Sequence, residues 1–410
     1  MHILIFHQYF VTNRAAGGTR TYDLGRRLVQ GGNRVTIVSG DALYFTGGRV
    51  SKFRLLWRRE NVDNIEVVWV RIPFGGSRKI LLRMLGFLWF IPVSFLAALP
   101  APSPDVIIAT STPLTIGIPA LLLSWFRRVP FIFELRDLWP DCVVDYNVVR
   151  NRALIRAAYW LESFLYRRAT AIVALTRGIR ERVISKGIAP DKVWVITNAA
   201  DLELFSPSGP RMDLEAIAGV PQGSFACVFA GSFGIAYDLS LVVQAMDFLR
   251  DRKDIHLTLM GTGREKERLM QEVAKRGLSN VHFLDPVPKS EVPAFLRSGQ
   301  VGILSIRHGS LSYIFLPNKF FDLIACGRPV VLNFDGEARE YVEGAGAGVY
   351  VPPGDARALA EALQALADSP ERLRQMSANA RHLAEKQFGW DHKVSEYREM
   401  LSSVVKADQS

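Results

Sequence analysis

Cysteine is scarce in this 410-residue chain, where only Cys142, Cys227 and Cys326 occur, widely spaced and in apolar segments. Such spacing fits neither a disulfide framework nor a cysteine-rich zinc site, and it favours a reducing compartment such as the cytoplasm. The N-terminal segment MHILIFHQYF also lacks a basic region before its apolar run and a small-residue cleavage site. It is therefore expected to form a buried strand rather than an export signal.

Acidic residues are fewer than basic ones, with 40 Asp and Glu against 50 Lys and Arg, a formal net charge of +10 and a pI of about 9.6. This balance is typical of proteins that meet anionic partners: nucleic acids, phosphorylated ligands or acidic lipid surfaces. Charge alone does not choose among them.

Long hydrophobic runs are almost absent; the exception is ILLRMLGFLWFIPVSFLAAL at 80–99. Its length would allow a membrane span, but strand-like segments of one domain on both sides argue against a span. A buried core helix and a helix that dips one face into an anionic bilayer surface both remain open. Nearby basic residues favour the second alternative, although they would equally suit a solvated basic face. They are Arg49, Lys52, Arg54, Arg58, Arg59, Arg71, Arg78, Lys79 and Arg83.

Short apolar runs alternate with helical stretches throughout, which is typical of a parallel sheet covered by helices on both faces. We therefore predict an α/β fold with two doubly wound, Rossmann-like domains facing each other across a cleft. Ligands of such sheets bind at the carboxyl ends of strands, so the chemistry is expected there. Strands of the first half are predicted at 3–6, 35–38, 67–70, 106–109, 131–133, 171–174 and 193–196.

The alternation pauses after Phe205, where SPSGPRMDLEAIAGVPQGS contains three prolines and three glycines among few strand formers. This composition predicts a domain boundary. The predicted parts are an N-terminal domain (1–205), a linker (206–223), a C-terminal domain (224–387) and a final helix (388–410) that packs back on the first domain.

The segment LPNKFFDLIACGRPVV at 316–331 combines a cation, a carboxylate and a Gly-Arg-Pro turn. Its apolar spacing predicts a helix from Asn318 that ends at Gly327. Asn318 and Lys319 lie at the helix N-terminus, where a side-chain cation, free N–H groups and the helix dipole can hold a diphosphate. Asp322, one turn on, is placed to accept a sugar or ribose hydroxyl. The plain alternative is a surface Lys and Asp on an ordinary amphipathic helix.

Glycine-rich turns follow three predicted strands, and backbone N–H groups there can approach a phosphate closely. Tight strand-to-helix turns also need glycine for purely steric reasons, but three such turns at strand ends that are expected to face one cleft favour a ligand. The candidate residues are Gly17 and Gly18, then Gly231, Ser232 and Gly234, then Gly261, Gly263 and Arg264.

The segment FIFELRDLWPD at 131–141 places Glu134, Arg136 and Asp137 just beyond a buried strand. Carboxylates at such an edge can orient or deprotonate an acceptor hydroxyl, which makes these three residues the catalytic candidates. A structural Arg–Asp pair is the alternative. His7, at the end of the first strand, is interpreted as structural.

These motifs together resemble the nucleotide-sugar glycosyltransferases of the GT-B fold, and specifically glycosyltransferase family 4. The resemblance extends over nearly the whole chain, and its strength lies in the order and spacing of the motifs. Within the family, RDLWP and PNKFFDLIACGRP are similar to bacterial N-acetylfucosaminyltransferases of O-antigen and capsule assembly. The motifs are Gly17-Gly18, VWVITNAADLELF at 193–205, AGSFG at 230–234, GTG at 261–263 and ACGRPVV at 325–331.

This resemblance implies a retaining transferase that needs no obligatory metal or other cofactor. Its C-terminal domain would bind a UDP-sugar, carrying an N-acetylated deoxyhexose, and its N-terminal domain a polyprenyl-diphosphate-linked glycan at the inner face of the membrane. By the same resemblance, Gly18 and Lys319 meet the phosphates, Asp322 the ribose, and the turn from Val287 to Glu291 the base.

The chain departs from the family pattern at three places. The motif that normally has two glutamates ends here in Asp322, and its first position is Ile314. The Arg–Lys pair expected after AGSFG is missing from IAYDLSLVV at 235–243, with Arg264 or Arg307 as possible substitutes. Arg136 stands where the family commonly has a histidine.

Three other functions remain open beside the transferase. A degenerate, inactive GT-B partner subunit would explain the missing Arg–Lys pair. A sugar-nucleotide 2-epimerase or a phosphorylase would use the same fold, but an epimerase needs several carboxylates and histidines, and only seven histidines occur. A nucleic-acid binder would place its basic residues beside exposed aromatics along a groove, whereas here they cluster around an apolar helix.

Overall fold

The computed structural model describes residues 1–15, 17–42, 49, 55–73, 80–146, 149–309 and 311–409. Lys52, Arg54, Arg78 and Lys79, which belong to the basic cluster noted above, lie outside the described residues. The chain forms two compact units. The first comprises Met1–Thr12, Gly17–Thr197 and Asp391–Ser410, and the second is built mainly from Asn198–Trp390. Residues 206–223, interpreted above as a linker, belong to the second unit.

The first unit contains an eight-stranded sheet in the described part of the chain, with strand order β3-β4-β2-β1-β5-β6-β7-β8. All neighbours are parallel except β3, which pairs antiparallel with β4 at the sheet edge. The seven predicted strands are present. The sequence pattern does not predict β3, because its residues WRRENV contain no apolar run and its side chains are only half-buried or exposed. The strands are β1 His2–Phe6, β2 Arg34–Gly40, β3 Trp57–Val62, β4 Ile65–Val70, β5 Val106–Thr110, β6 Phe131–Leu135, β7 Ala171–Ala174 and β8 Val193–Val195.

Helices cover the sheet of the first unit. Helix α2, the long apolar segment, buries Phe90, Val93 and Ala97 but leaves Leu88 exposed, so it is both a core helix and a surface helix. Across the described residues, no helix has the length and apolarity that a membrane crossing requires. The helices are α1 Arg20–Gln30, α2 Ile80–Ala98, α3 Gly117–Arg127, α4 Asp141–Asp145, α5 Arg152–Arg168 and α6 Arg177–Ser185.

The second unit contains a six-stranded, fully parallel sheet in its described residues, with order β11-β10-β9-β12-β13-β14. The order reverses between β9 and β12, and ligands of doubly wound sheets bind beside such a reversal. The strands are β9 Phe225–Ala230, β10 Ile255–Met260, β11 Val281–Leu284, β12 Val301–Leu304, β13 Val330–Leu332 and β14 Gly348–Tyr350.

Two apolar clusters fill the faces of the second sheet. Phe320 and Phe321 of α11 lie in one of them and meet the ring of Phe388 edge-on, so packing fixes this helix against the sheet. The helices are α7 Leu214–Ala218, α8 Leu239–Phe248, α9 Lys266–Arg276, α10 Val292–Ser298, α11 Asn318–Ala325, α12 Glu337–Ala345, α13 Ala356–Ala367 and α14 Pro370–Leu383. Helix α15, Trp390–Gln409, belongs to the first unit from Asp391 onwards.

Candidate functional site

Lys319 is the second residue of α11 and points toward the end of β9. The helix starts after Pro317 and stops before Gly327, whose φ of +62° suits glycine. The Lys319 Nζ lies 3.4 Å from the ring centroid of Tyr237 and 4.1 Å from that of Phe229. Two aromatic faces therefore hold the ammonium by cation–π attraction.

The glycine turn after β9 lies directly against this ammonium. A Cβ atom on Gly231 would stand 2.8 Å from Lys319 Nζ, and the φ of Gly231 is +148°. Only a residue without a side chain leaves this approach open.

The turns after β9 and β10 are locked together. Strands β9, β10 and β11 are in register, so Gly231 and Gly261 leave the same sheet edge. A Cβ on Gly261 would lie 1.8 Å from the Gly231 carbonyl oxygen, and one on Gly263 would lie 2.5 Å from that of Phe233. The Phe233 amide donates to the Thr262 carbonyl at 2.9 Å. Steric packing alone therefore requires glycine at positions 261 and 263, whether or not a ligand binds.

The Lys319 ammonium is buried and has no hydrogen-bond partner among the described residues. Burial lowers its pKa well below the usual value, and the negative charge of Asp322 opposes that shift. A cation without a polar partner is costly in such surroundings. An anion bound at the N-terminus of α11 would supply the missing contacts.

Asp322 is paired with Lys289, whose Nζ donates to Oδ1 at 3.1 Å and to Oδ2 at 3.0 Å. Lys289 also lies over the ring of Phe205 at 4.9 Å. Burial raises the pKa of Asp322, and the Lys289 ammonium opposes that shift. Sequence reasoning missed Lys289 as a site residue, although it lies inside the turn 287–291 that the family resemblance assigns to the base.

The remaining predicted donor residues differ in burial, and they belong to both units. Asn318 is half-buried at the start of α11, Val287 is half-buried against the core, and Arg264 and Glu291 are exposed. Gly17 and Gly18 are half-buried in the loop that leads into α1 of the first unit. Ser232 and Gly234 are half-buried in the turn after β9.

Glu134 is held in a buried network within the first unit. Arg20 donates to Glu134 Oε2 through Nε at 3.2 Å and Nη2 at 3.1 Å. Thr110 Oγ1 donates to Glu134 Oε1 at 2.9 Å, and the Tyr397 hydroxyl donates to Glu134 Oε2. Arg20 also donates to the Ile196 and Thr197 carbonyls. These contacts give Glu134 a structural role that joins α1, β6 and α15.

Arg136 and Asp137 lie beyond β6 and are half-buried. The Thr112 hydroxyl donates to Asp137 Oδ2 at 3.0 Å, and Arg136 Nη1 lies 3.2 Å from His7 Nε2. With Arg136 as donor, the proton of His7 is on Nδ1, which has no partner among the described residues. Burial lowers the pKa of His7 well below its usual value, and the Arg136 charge lowers it further. The neutral His7 ring thus accepts a hydrogen bond from Arg136 and holds the guanidinium group in position.

No three or more His, Cys, Asp or Glu side chains are grouped to hold a metal ion in the part of the chain that the structure describes.

Sequence comparison matches the chain to two family models: a glycosyl transferase 4-like domain over residues 16–199 and glycosyl transferases group 1 over residues 224–369. The putative colanic acid biosynthesis glycosyl transferase WcaI of Escherichia coli (strain K12) is 22% identical over 343 residues, which cover 81% of this chain and 83% of that protein.

Solved structures agree on the fold. Sucrose-phosphate synthase from Thermosynechococcus elongatus aligns with a TM-score of 0.78 at 18% identity, covering 99% of each chain. HepE of Anabaena, solved in complex with UDP-glucose, aligns with a TM-score of 0.72 at 18% identity, covering 98% of this chain and 100% of that one.

The two parallel-sheet units and these matches define a GT-B glycosyltransferase fold. The chain belongs to glycosyltransferase family 4, which confirms the family resemblance and the fold class inferred from the sequence.

Proposed function

We propose that this protein is a retaining glycosyltransferase that moves a sugar from a UDP-sugar to a lipid-linked glycan in bacterial surface polysaccharide synthesis, at the cytoplasmic face of the cell membrane. The observation that carries the proposal is the buried ammonium of Lys319 against the Gly231 turn, without a hydrogen-bond partner among the described residues.

Lys319 supplies the charge that the missing Arg–Lys pair would have supplied. Its Nζ and the free N–H groups at the start of α11 are both positive, so a diphosphate there gains charge-assisted hydrogen bonds. The same groups stabilise the negative charge that develops on the departing nucleoside diphosphate when the glycosidic bond breaks. The N-acetylated deoxyhexose as the sugar and the independence from metal rest on the family resemblance alone.

Asp322 and Lys289 act together in the proposed donor site. The Lys289 ammonium opposes the rise in the pKa of Asp322 that burial causes and so favours the ionised carboxylate. An ionised carboxylate accepts hydrogen bonds from ribose hydroxyls strongly. A shorter Asp in place of the family's Glu is thus accompanied by a lysine that holds it in position.

Arg136 and Asp137 are the proposed acceptor-orienting residues, because both remain partly accessible. The UDP preference is supported by HepE, a fold neighbour solved with UDP-glucose. The acceptor class is supported by WcaI, whose name assigns it to colanic acid biosynthesis.

The test is thermal unfolding of the wild type, Lys319→Met and Lys275→Met with UDP, GDP, CDP, ADP and their sugar conjugates. Lys275 is exposed on α9 of the same unit, so its variant is the matched control. A ligand at 100 times its Kd adds about 2.7 kcal/mol of stability. We expect such a shift with uridine nucleotides, retained in Lys275→Met, lost in Lys319→Met, and unchanged by EDTA.

No shift with any nucleotide, in folded wild-type protein, would overturn the donor site. A uridine shift without sugar transfer to any lipid-linked glycan would favour the second candidate, an inactive GT-B partner subunit, which the departures at 235–243 and Ile314 support.

A further inference from the structure

Exposed apolar side chains concentrate on three helices of the first unit, α2, α3 and α5. Helix α3 packs against both of the other two. Helices α2 and α3 repeat one spacing, with exposed side chains at i, i+3 and i+4, which places them on one helix face. The exposed residues are Leu85, Leu88, Trp89, Leu96, Leu122, Trp125, Phe126, Leu154 and Trp160. We call this surface the three-helix face.

Helix α5 carries a stripe at intervals of four residues: Arg152, Arg156, Trp160, Phe164 and Arg168. Trp160 stacks on Phe164 with ring centroids 5.5 Å apart and planes at 7°. This stripe places aromatic rings in the middle of the helix and guanidinium groups at both ends.

Helix α3 extends the aromatic cluster. Trp125 meets Phe164 edge-on with centroids 6.2 Å apart, and the Arg168 guanidinium lies 5.9 Å from the Trp125 ring and 5.7 Å from the Phe164 ring. Trp125 is 50% exposed and Trp160 is 67% exposed. Large aromatic rings held in place at the surface, with a guanidinium group over two of the three clustered rings, suit an environment that is apolar on one side and polar on the other.

The charge of the three-helix face has a single sign. The only carboxylate on α2, α3 and α5 is Glu162, which is buried and bonded to Lys186. The cations on these helices and at the C-terminal end of α3 are Arg83, Arg127, Arg128, Arg152, Arg156, Arg167 and Arg168.

We infer that the three-helix face docks on the surface of an anionic lipid bilayer. The headgroup region receives the side chains of Leu88, Trp125, Phe126 and Trp160, and the arginines bind lipid phosphates. Apolar and aromatic side chains flanked by cations bind such a surface in its plane. A second copy of this chain suits the face poorly, because a two-fold contact would bring like charges together. The inference deepens the proposed function, since it would bring the enzyme to a lipid-linked acceptor.

The test is flotation of the full-length protein with vesicles of phosphatidylcholine alone or with about 30% phosphatidylglycerol. The variants are Trp125→Ser/Trp160→Ser and Arg156→Gln/Arg168→Gln. The control is Phe248→Ser, because Phe248 of the second unit is also exposed and lies 4.6 Å from the Arg357 guanidinium.

We expect wild type and the control to float only with the anionic vesicles. The arginine pair should weaken binding by about 25-fold and reduce its salt dependence, since two of the seven cations are removed. The tryptophan pair should weaken binding by at least about tenfold. Equal binding by all variants, or no wild-type binding, would overturn the inference. If the wild type forms dimers without lipid and the Trp125→Ser/Trp160→Ser variant does not, the three-helix face binds a second copy of the chain instead of a bilayer. If uridine nucleotides still raise the thermal midpoint of both double variants, the variants are folded and nucleotide binding does not depend on the three-helix face.

Discussion

Lys319 is expected to lower the stability of the nucleotide-free protein while it strengthens the binding of an anion. Its ammonium is buried between two aromatic rings and has no hydrogen-bond partner in the described chain. A neutral side chain of similar length keeps the packing and removes the desolvation cost. We expect Lys319→Met to raise the free energy of unfolding of the nucleotide-free protein by about 1–3 kcal/mol, measured by urea unfolding.

Lys275→Met, on the exposed face of α9, should change this free energy by less than about 0.5 kcal/mol. If Lys319→Met is instead less stable than wild type without ligand, the cation–π contacts outweigh the burial cost, and the stability argument for an anion at Lys319 fails.

Helix α15 is attached to the first unit by polar contacts as well as by buried apolar side chains such as Met400 and Leu401. Tyr397 brings its hydroxyl to Glu134, which also balances the buried Arg20. Glu134→Gln leaves Arg20 without its counter-charge and should cost about 3–5 kcal/mol. Tyr397→Phe removes one hydrogen bond and should cost about 1–2 kcal/mol. Urea unfolding measures both.

The control is Glu399→Gln, because Glu399 is exposed on the same helix, and it should be nearly neutral. A Glu134→Gln protein of wild-type stability that has lost sugar transfer would restore Glu134 to the catalytic role suggested by its sequence position. Hydrogen exchange of the α15 amides would show whether this helix is the part that loosens in Tyr397→Phe.

The stability of the whole protein should fall in mild acid. Burial lowers the pKa of His2, His7 and His282, so the folded state binds fewer protons than the unfolded state just below the ordinary histidine pKa of about 6.5. Their contribution is complete above that pH and is lost as the pH falls toward their folded values. Each contributes up to about 1.4 kcal/mol per pH unit.

Thermal midpoints between pH 7.5 and 5.5 check this sign. His282→Asn should reduce the slope of the thermal midpoint against pH. Protonation of His282 is unfavourable because the ring is partly buried and its Nε2 lies 3.0 Å from His256 Nδ1. His382→Asn, at an exposed position of α14, should keep the wild-type slope. A midpoint that rises toward pH 5.5 would contradict the argument; Glu162 and Asp322, whose pKa values burial raises, act in that direction at lower pH.

Much of the fold could be predicted from the chain alone, because buried parallel strands are short apolar runs that amphipathic helices separate. The seven predicted strands of the first unit, both Rossmann-like sheets and the helix from Asn318 follow from this pattern. Strand β3 did not, since within the described part of the chain it pairs with β4 alone, and all its side chains are only half-buried or exposed.

Local pattern also determined the candidate residues, since Lys319 and Asp322 follow from helix spacing and Gly231 and Gly261 from the strand ends. Only the tertiary structure decided what those residues touch: Lys289 against Asp322, Tyr397 against Glu134, and Trp125 beside Phe164. The physical reason is that helix and strand periodicity depends on residues close together in the sequence. The partner, burial and charge balance of a side chain depend on segments that are far apart in the sequence.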